Sequence, residues 1–201
     1  SFVLGRNRTT GCAPRGGARA NADTLTIRHA SIEAASPDPG RVQLLVDAVD
    51  PTRRWLLADG LLPGGASLQP DQLQLHDLDT AIYYVSQRSD GAAEVPALRR
   101  KLLTRIAGMP TFVDTEVISG VEDLQLQFQT ARGVFTPDAV PAAAPVLAVT
   151  VWLRVRTTLL ETSHHDASTY VYAGHSASIS AGERSFRRLL VSRTIAVRNG
   201  R

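Results

Sequence analysis

Cysteine is nearly absent from this sequence. Cys12 is the only one, which excludes an internal disulfide framework and any zinc site built on cysteine pairs. Lysine is just as scarce, with Lys101 alone, so arginine carries nearly all of the positive charge. We read that bias as genomic base composition, although the planar guanidinium fork does bind carboxylates and phosphates through two hydrogen bonds. No apolar run reaches the roughly 18–20 consecutive residues needed to cross a bilayer. The first residues lack the charged-then-apolar pattern of a signal peptide. Glycine-rich phosphate loops are missing too, in both the G-x-x-x-x-G-K-[ST] and the G-x-G-x-x-G spacing. The stretch Gly174–Ser178, GHSAS, begins like a G-x-S-x-G nucleophile elbow but has no closing glycine. Helical periodicity is weak throughout, and there is no internal repeat.

What is present is a chain of 201 residues, 43% hydrophobic, with a formal net charge of +3. A chain of this size buries about 70% of its unfolded surface and holds a core without metal or disulfide. The dominant pattern is period-two alternation, the mark of half-buried strands. It predicts strands over Asp23–Ala30 (DTLTIRHA), Arg41–Val49, Leu73–Leu75, Ala81–Ser86 and Leu98–Ile106, with an acidic turn around Asp77 and Asp79. Asp123–Thr130, DLQLQFQT, alternates most strictly, with Leu124, Leu126 and Phe128 inward and three glutamines outward in water. In Val146–Leu160 the inner face is Val149, Val151, Leu153 and Val155, opposite Trp152, Arg154 and Arg156. Ser185–Asn199 closes the chain as a long strand or a bulged pair. Thr136–Pro145 is loop, broken by three prolines, and Glu161–Ser168 is an exposed hairpin connection. A short helix near Ser1–Thr10 and a helical turn at Gly120–Asp123 complete the expectation. The fold class is α+β, predominantly antiparallel β, with little helix, as one globular domain over residues 1–201.

Few residues carry a chemical signal. His164, His165 and Asp166 suggest a metal site, but neighbours on an extended chain point to opposite faces and do not share an ion. Asp77/Asp79 and Glu122/Asp123 are carboxylate pairs, read as turn formers or caps. His175 and Ser176 lie in one hairpin and define a weak hydrolase reading. The C-terminal arginines are a stronger cluster. Arg187, Arg188, Arg193 and Arg198 are the candidate nucleic-acid contacts, with Arg187 and Arg193 sharing one strand face. Few aromatics interleave with them, so they do not make a base-stacking platform. The alternative is a solvated strand edge whose charges block aggregation. Catalytic, cofactor and metal residues are not assigned.

Several stretches, in order, resemble the PilW family of type IV pilus minor pilins. Gly5–Cys12, GRNRTTGC, looks like the end of the family's N-terminal helix, and Asp23–Ala30 is similar to its first strand. Tyr83-Tyr84-Val85 followed by Pro96-Ala97-Leu98-Arg99-Arg100 resembles a paired-strand segment. The most specific piece is Ile118–Phe128, ISGVEDLQLQF, close to the family's GVEDLQ element; Ala148–Thr157 and Phe186–Asn199 resemble its closing strands. Arg53–Gln69 and Thr136–Pro145 match no family element. The resemblance implies a pilin- or pseudopilin-like globular domain in the periplasm, with residues 1–12 a remnant of the helix region. A hydrophobic helix upstream of Ser1 would anchor it in the inner membrane. It implies a structural role without catalysis: joining other minor pilins and the major pilin, with a tip adhesin as a further partner, to initiate or cap the fibre at the cell surface. The competing readings are a J-type minor pseudopilin of type II secretion, which shares the GVE-x-L signal, and a DNA-binding minor pilin using the C-terminal arginines.

Overall fold

The computed structural model describes residues 2–7, 13–50, 52–65, 67–69, 71–141 and 144–197. It is mostly antiparallel β. The strands, in chain order, are β1 (Phe2–Asn7), β2 (Asp23–Ala30), β3 (Gln43–Asp47), β4 (Arg54–Leu57), β5 (Leu73–Ser86), β6 (Ala97–Ile106), β7 (Met109–Ser119), β8 (Val121–Thr130), β9 (Gly133–Phe135), β10 (Val146–Arg156), β11 (Thr169–Tyr172), β12 (His175–Ser178) and β13 (Arg188–Ala196). Helix among the described residues is confined to three short 3₁₀ turns, at Pro63–Gly65, Pro137–Ala139 and Ala181–Glu183. Phe2–Asn7 is therefore a strand where a short helix was expected, while Arg8 to Cys12 lie outside the described residues.

The chain forms two compact units, one of residues 1–2, 27–81 and 101–113, the other of residues 3–26, 82–100 and 114–201. In the first, β3 pairs antiparallel with β4 on one side and β5 on the other. Its core is small: Leu45, Leu57 and Leu75, with Trp55, Leu62, Leu68 and Leu73 against them. Gln43, fully buried, is satisfied at every polar atom that faces the protein. Its Nε2 donates to Ser36 O and Asp77 Oδ1, and its Oε1 accepts from Asp38 N. Asp77 thus sits inside a continuous strand, β5, and not at a turn that breaks it.

The second unit holds a four-stranded sheet ordered β13-β10-β8-β9 and the β11–β12 hairpin. Alternation along β8 and β10 directs Val121, Leu124, Leu126, Phe128 and Val149 to one side. They form the core there with Ala22 and Val85, and Val151, Leu153 and Val155 pack against them. The opposite side, expected in water, is covered. The ring of Tyr172 lies 6.2 Å from that of Trp152, and the guanidinium of Arg154 sits 5.8 Å above Tyr170. β6 to β7 and β11 to β12 turn through two residues with positive φ, Ala107–Gly108 and Ala173–Gly174. That backbone matches the right-handed twist of hairpin strands.

Candidate functional site

The element Gly120–Gln125 is where the second unit is tied together. Gly120 has φ +82°, and a Cβ there would lie 2.5 Å from Arg156 O. Its amide donates to Pro96 O at 2.7 Å and its carbonyl accepts from Arg156 N at 2.8 Å. Only glycine meets both demands, the left-handed backbone and the close approach. Next, β8 carries a bulge. Arg154 is opposite Asp123 and Val155 is opposite Val121, which leaves Glu122 as the extra residue. A bulge re-aims a side chain, and here it swings Glu122 to the side that carries Arg154 and Arg156.

Glu122 is 2% exposed and surrounded by arginines. Arg188 Nε donates to Oε2 at 2.8 Å and Arg188 Nη2 to Oε1 at 3.0 Å, a two-bonded pair. Arg154 Nε adds a third bond at 3.1 Å, and Arg156 Nε stands 3.8 Å away. Burial by itself would raise the Glu122 carboxyl, but the hydrogen bonds and charge of Arg188, then the charges of Arg154 and Arg19, hold it below the usual carboxylate range. Around this centre, Arg188 also reaches Asp166, the backbone carbonyls of Glu183 and Phe186, and the Glu183 carboxylate. Arg156 donates to the Glu183 carboxylate and to Glu94 O, and stacks 3.9 Å from Phe186. Tyr170 closes the ring by donating to Asp166 at 2.9 Å.

Asp123 takes a separate role. It accepts the hydroxyl of Tyr172, which fastens the β11–β12 hairpin to β8, and the amide of Gln125 at 3.1 Å. Gln125 also reaches Asn21 O at 2.7 Å. Where β9 stops covering β8, Asp23 accepts the amide of Leu126 at 2.8 Å. Burial pushes the Asp23 carboxyl up to about 7; the Leu126 amide opposes this, and Asp123 and Asp138 add to it.

A second charged cluster surrounds Arg99, which is 0% exposed. It donates to Asp114 at 2.8 Å and to Asp90 at 2.9 Å, with Glu116 3.6 Å away. Tyr84 donates to the other Asp114 oxygen at 2.7 Å. The Tyr83–Val85 and Pro96–Arg100 stretches of the sequence thus converge on one buried arginine.

The geometry revises several sequence expectations. Glu122 and Asp123 are neither turn formers nor caps but buried acceptors, because the bulge turns both from solvent. Glu161–Ser168 is more than an exposed connection, since Asp166 is 5% exposed and bound to Arg188. His175 and Ser176 are adjacent on β12 and point apart, and His175 packs edge-on to Tyr172 at 6.1 Å. No group of three His, Cys, Asp or Glu among the described residues is placed to hold a metal ion. The three described candidate nucleic-acid contacts do not point to one surface. Arg188 is turned inward with its side chain 1% exposed, out of reach of a phosphate. Arg187 is exposed and bound to Glu161 at 2.7 Å, Arg193 is exposed on β13, and Arg198 lies outside the described residues. Arg154 and Arg156 are read from sequence only as the face opposite the core valines, Asp166 only as a neighbour of two histidines and Arg99 only as part of a family stretch, and none of the four as a buried ion-pair partner. For Arg154 and Arg156 the available signal is their alternation with the core valines of β10; Arg99 and Asp166 carry none.

Among the described residues these charges are tied to one another across the strands of the sheet. Neither the curated proteins nor the solved structures contain a match to the chain. The family model described as Type IV Pilus-assembly protein W matches residues 82–199, more than half of the sequence, and so spans Arg99, Glu122 and Arg188. On that match the chain belongs to the PilW family.

Proposed function

We propose that this protein is a structural minor pilin that joins a complex of minor pilins and initiates or caps a type IV pilus fibre. The family is one of pilus assembly and not of enzymes, which fits work in the cell envelope alongside other pilus components. The observation that carries the reading is the match over residues 82–199. The interior supports it, because Glu122 and Asp123 of the GVEDLQ element are taken up in holding strands together. No helix among the described residues is long and apolar enough to cross a membrane. On this reading the anchor is a hydrophobic helix upstream of Ser1, and the described residues act as a periplasmic domain with a pilin-like role towards other minor pilins and the major pilin.

The test is deletion of the gene in its own host, with surface pili counted by electron microscopy and secreted proteins measured in the medium. Loss of pili with secretion intact, restored by the full-length gene, supports the minor-pilin reading. Loss of secretion with pili intact transfers the chain to the J-type pseudopilins of type II secretion.

A further inference from the structure

β13 is the outermost strand of its sheet, paired with β10 over nine consecutive residues without a bulge. Thr157 N donates to Arg187 O at 2.9 Å, and Val197 N donates to Leu147 O at 2.8 Å. Odd-numbered residues of this stretch therefore turn their amides and carbonyls toward β10. By the period of two, Leu190, Ser192 and Thr194 turn theirs to the open side, where no described strand pairs with them.

Natural edge strands are blunted by charges, proline or bulges. β13, RLLVSRTIA, has no proline and no acidic residue, and its register is unbroken. Of its two arginines, Arg188 is withdrawn to Glu122, which leaves Arg193 as the only exposed charge. Beside Arg193 on the same face stand Leu189, Val191 and Ile195, at 63%, 39% and 55% exposure. The edge thus carries a single exposed charge beside three exposed aliphatic side chains.

The open groups are a straight row of backbone donors and acceptors, so what fits them is an extended strand, and alternating side chains would then meet the apolar row. A second copy fits poorly. Two-fold pairing centred on Ser192 retains all nine residues, but it sets the two Arg193 side chains diagonally on one face, where like charges repel. A strand bearing an acidic residue there gains what the copy loses. We propose that the open edge of β13 receives an extended segment of another pilus component, with apolar residues alternating and an acidic residue facing Arg193. The proposal rests on the pilus-assembly reading and names the surface through which that role is performed.

The experiment uses the full-length protein in piliated cells, with a photoreactive benzophenone side chain at Ile195. After irradiation the expected result is an adduct mapped to an extended segment of another pilus component. Ser192→Pro removes an outward amide while leaving the β10 ladder in place, and it should abolish the adduct; Ser192→Ala should retain it. Arg193→Glu, which alters no backbone bond, is the second arm and should also abolish it. No adduct, an adduct to a second copy of this chain, or an adduct that survives Arg193→Glu overturns the proposal. If the probe-bearing protein restores pili to the deletion strain but gives no adduct, the edge fails while the minor-pilin reading stands. If deletion leaves pili unchanged, that reading itself fails.

Discussion

Arg188 and Glu122 lie 66 positions apart in the chain and meet through two parallel hydrogen bonds in a site closed to solvent. A pair of this kind contributes little net stability against a well-packed apolar replacement, yet removing one partner strands the other charge. Arg188→Ala or Glu122→Ala should each lower unfolding stability by about 3–5 kcal/mol. Arg188→Lys should recover only part, since an ammonium does not reproduce the fork. Urea unfolding measured on the four proteins checks this; equal stability of Arg188→Ala and wild type would show the pair to be idle.

Gly120, the one glycine of the GVEDLQ element, is constrained by both its backbone and its neighbour. Gly120→Ala brings a methyl group within 2.5 Å of Arg156 O at a φ of +82°, and should cost at least about 1–3 kcal/mol in backbone strain. Gly182→Ala is the control, because its φ is ordinary and nothing lies within 4 Å of the added carbon. Its effect should stay within about 0.5 kcal/mol. Thermal denaturation of both variants separates them.

Asp23 sets a pH dependence of defined sign. Its carboxyl titrates near 3.8 in the unfolded chain and about 7 in the folded one, so between those values the folded state holds a proton that the unfolded state has lost. Stability from this group is present in full below pH 4 and declines as pH rises toward 7, by at most about 1.4 kcal/mol per pH unit. Glu122 works in the opposite sense, its depressed carboxyl stabilising the fold above the ordinary glutamate range and ceasing to do so in acid. In Asp23→Asn the decline between pH 4 and 7 should disappear, as read from urea midpoints across that range.

Tyr172 fastens the β11–β12 hairpin through its hydroxyl on Asp123. Tyr172→Phe leaves the ring against Trp152 but deprives a buried carboxylate of a donor, a loss of about 1–3 kcal/mol. Hydrogen exchange should quicken first in Thr169–Ser178, before the β8–β10 ladder. Uniform acceleration over the sheet would contradict a local fastening.

The strand frame was largely legible. The inward faces of β8 and β10 follow directly from alternation, because they bury a row of aliphatic side chains; Asp23–Ala30 is a strand as expected, although the residues it buries are Asp23 and Thr24. β7 was missed. It begins Met109-Pro110 straight after an Ala-Gly turn, and alanine with positive φ is not a turn signal. The split of Leu73–Ser86 into two strands came from reading Asp77 as a breaker, when Gln43 and Arg41 satisfy it within the sheet. The ion-pair network was hidden for a different reason. Its register depends on a single bulge at Glu122, and a one-residue offset leaves no trace in a hydrophobic pattern.

Because the guanidinium that neutralises Glu122 is supplied by the last described strand, the middle of the sheet is incomplete until that strand arrives. A polypeptide ending before Arg188 would keep Arg154 beside Glu122 but lack the guanidinium that holds it with two bonds, so this carboxylate is fully matched only once the whole of β13 has been made.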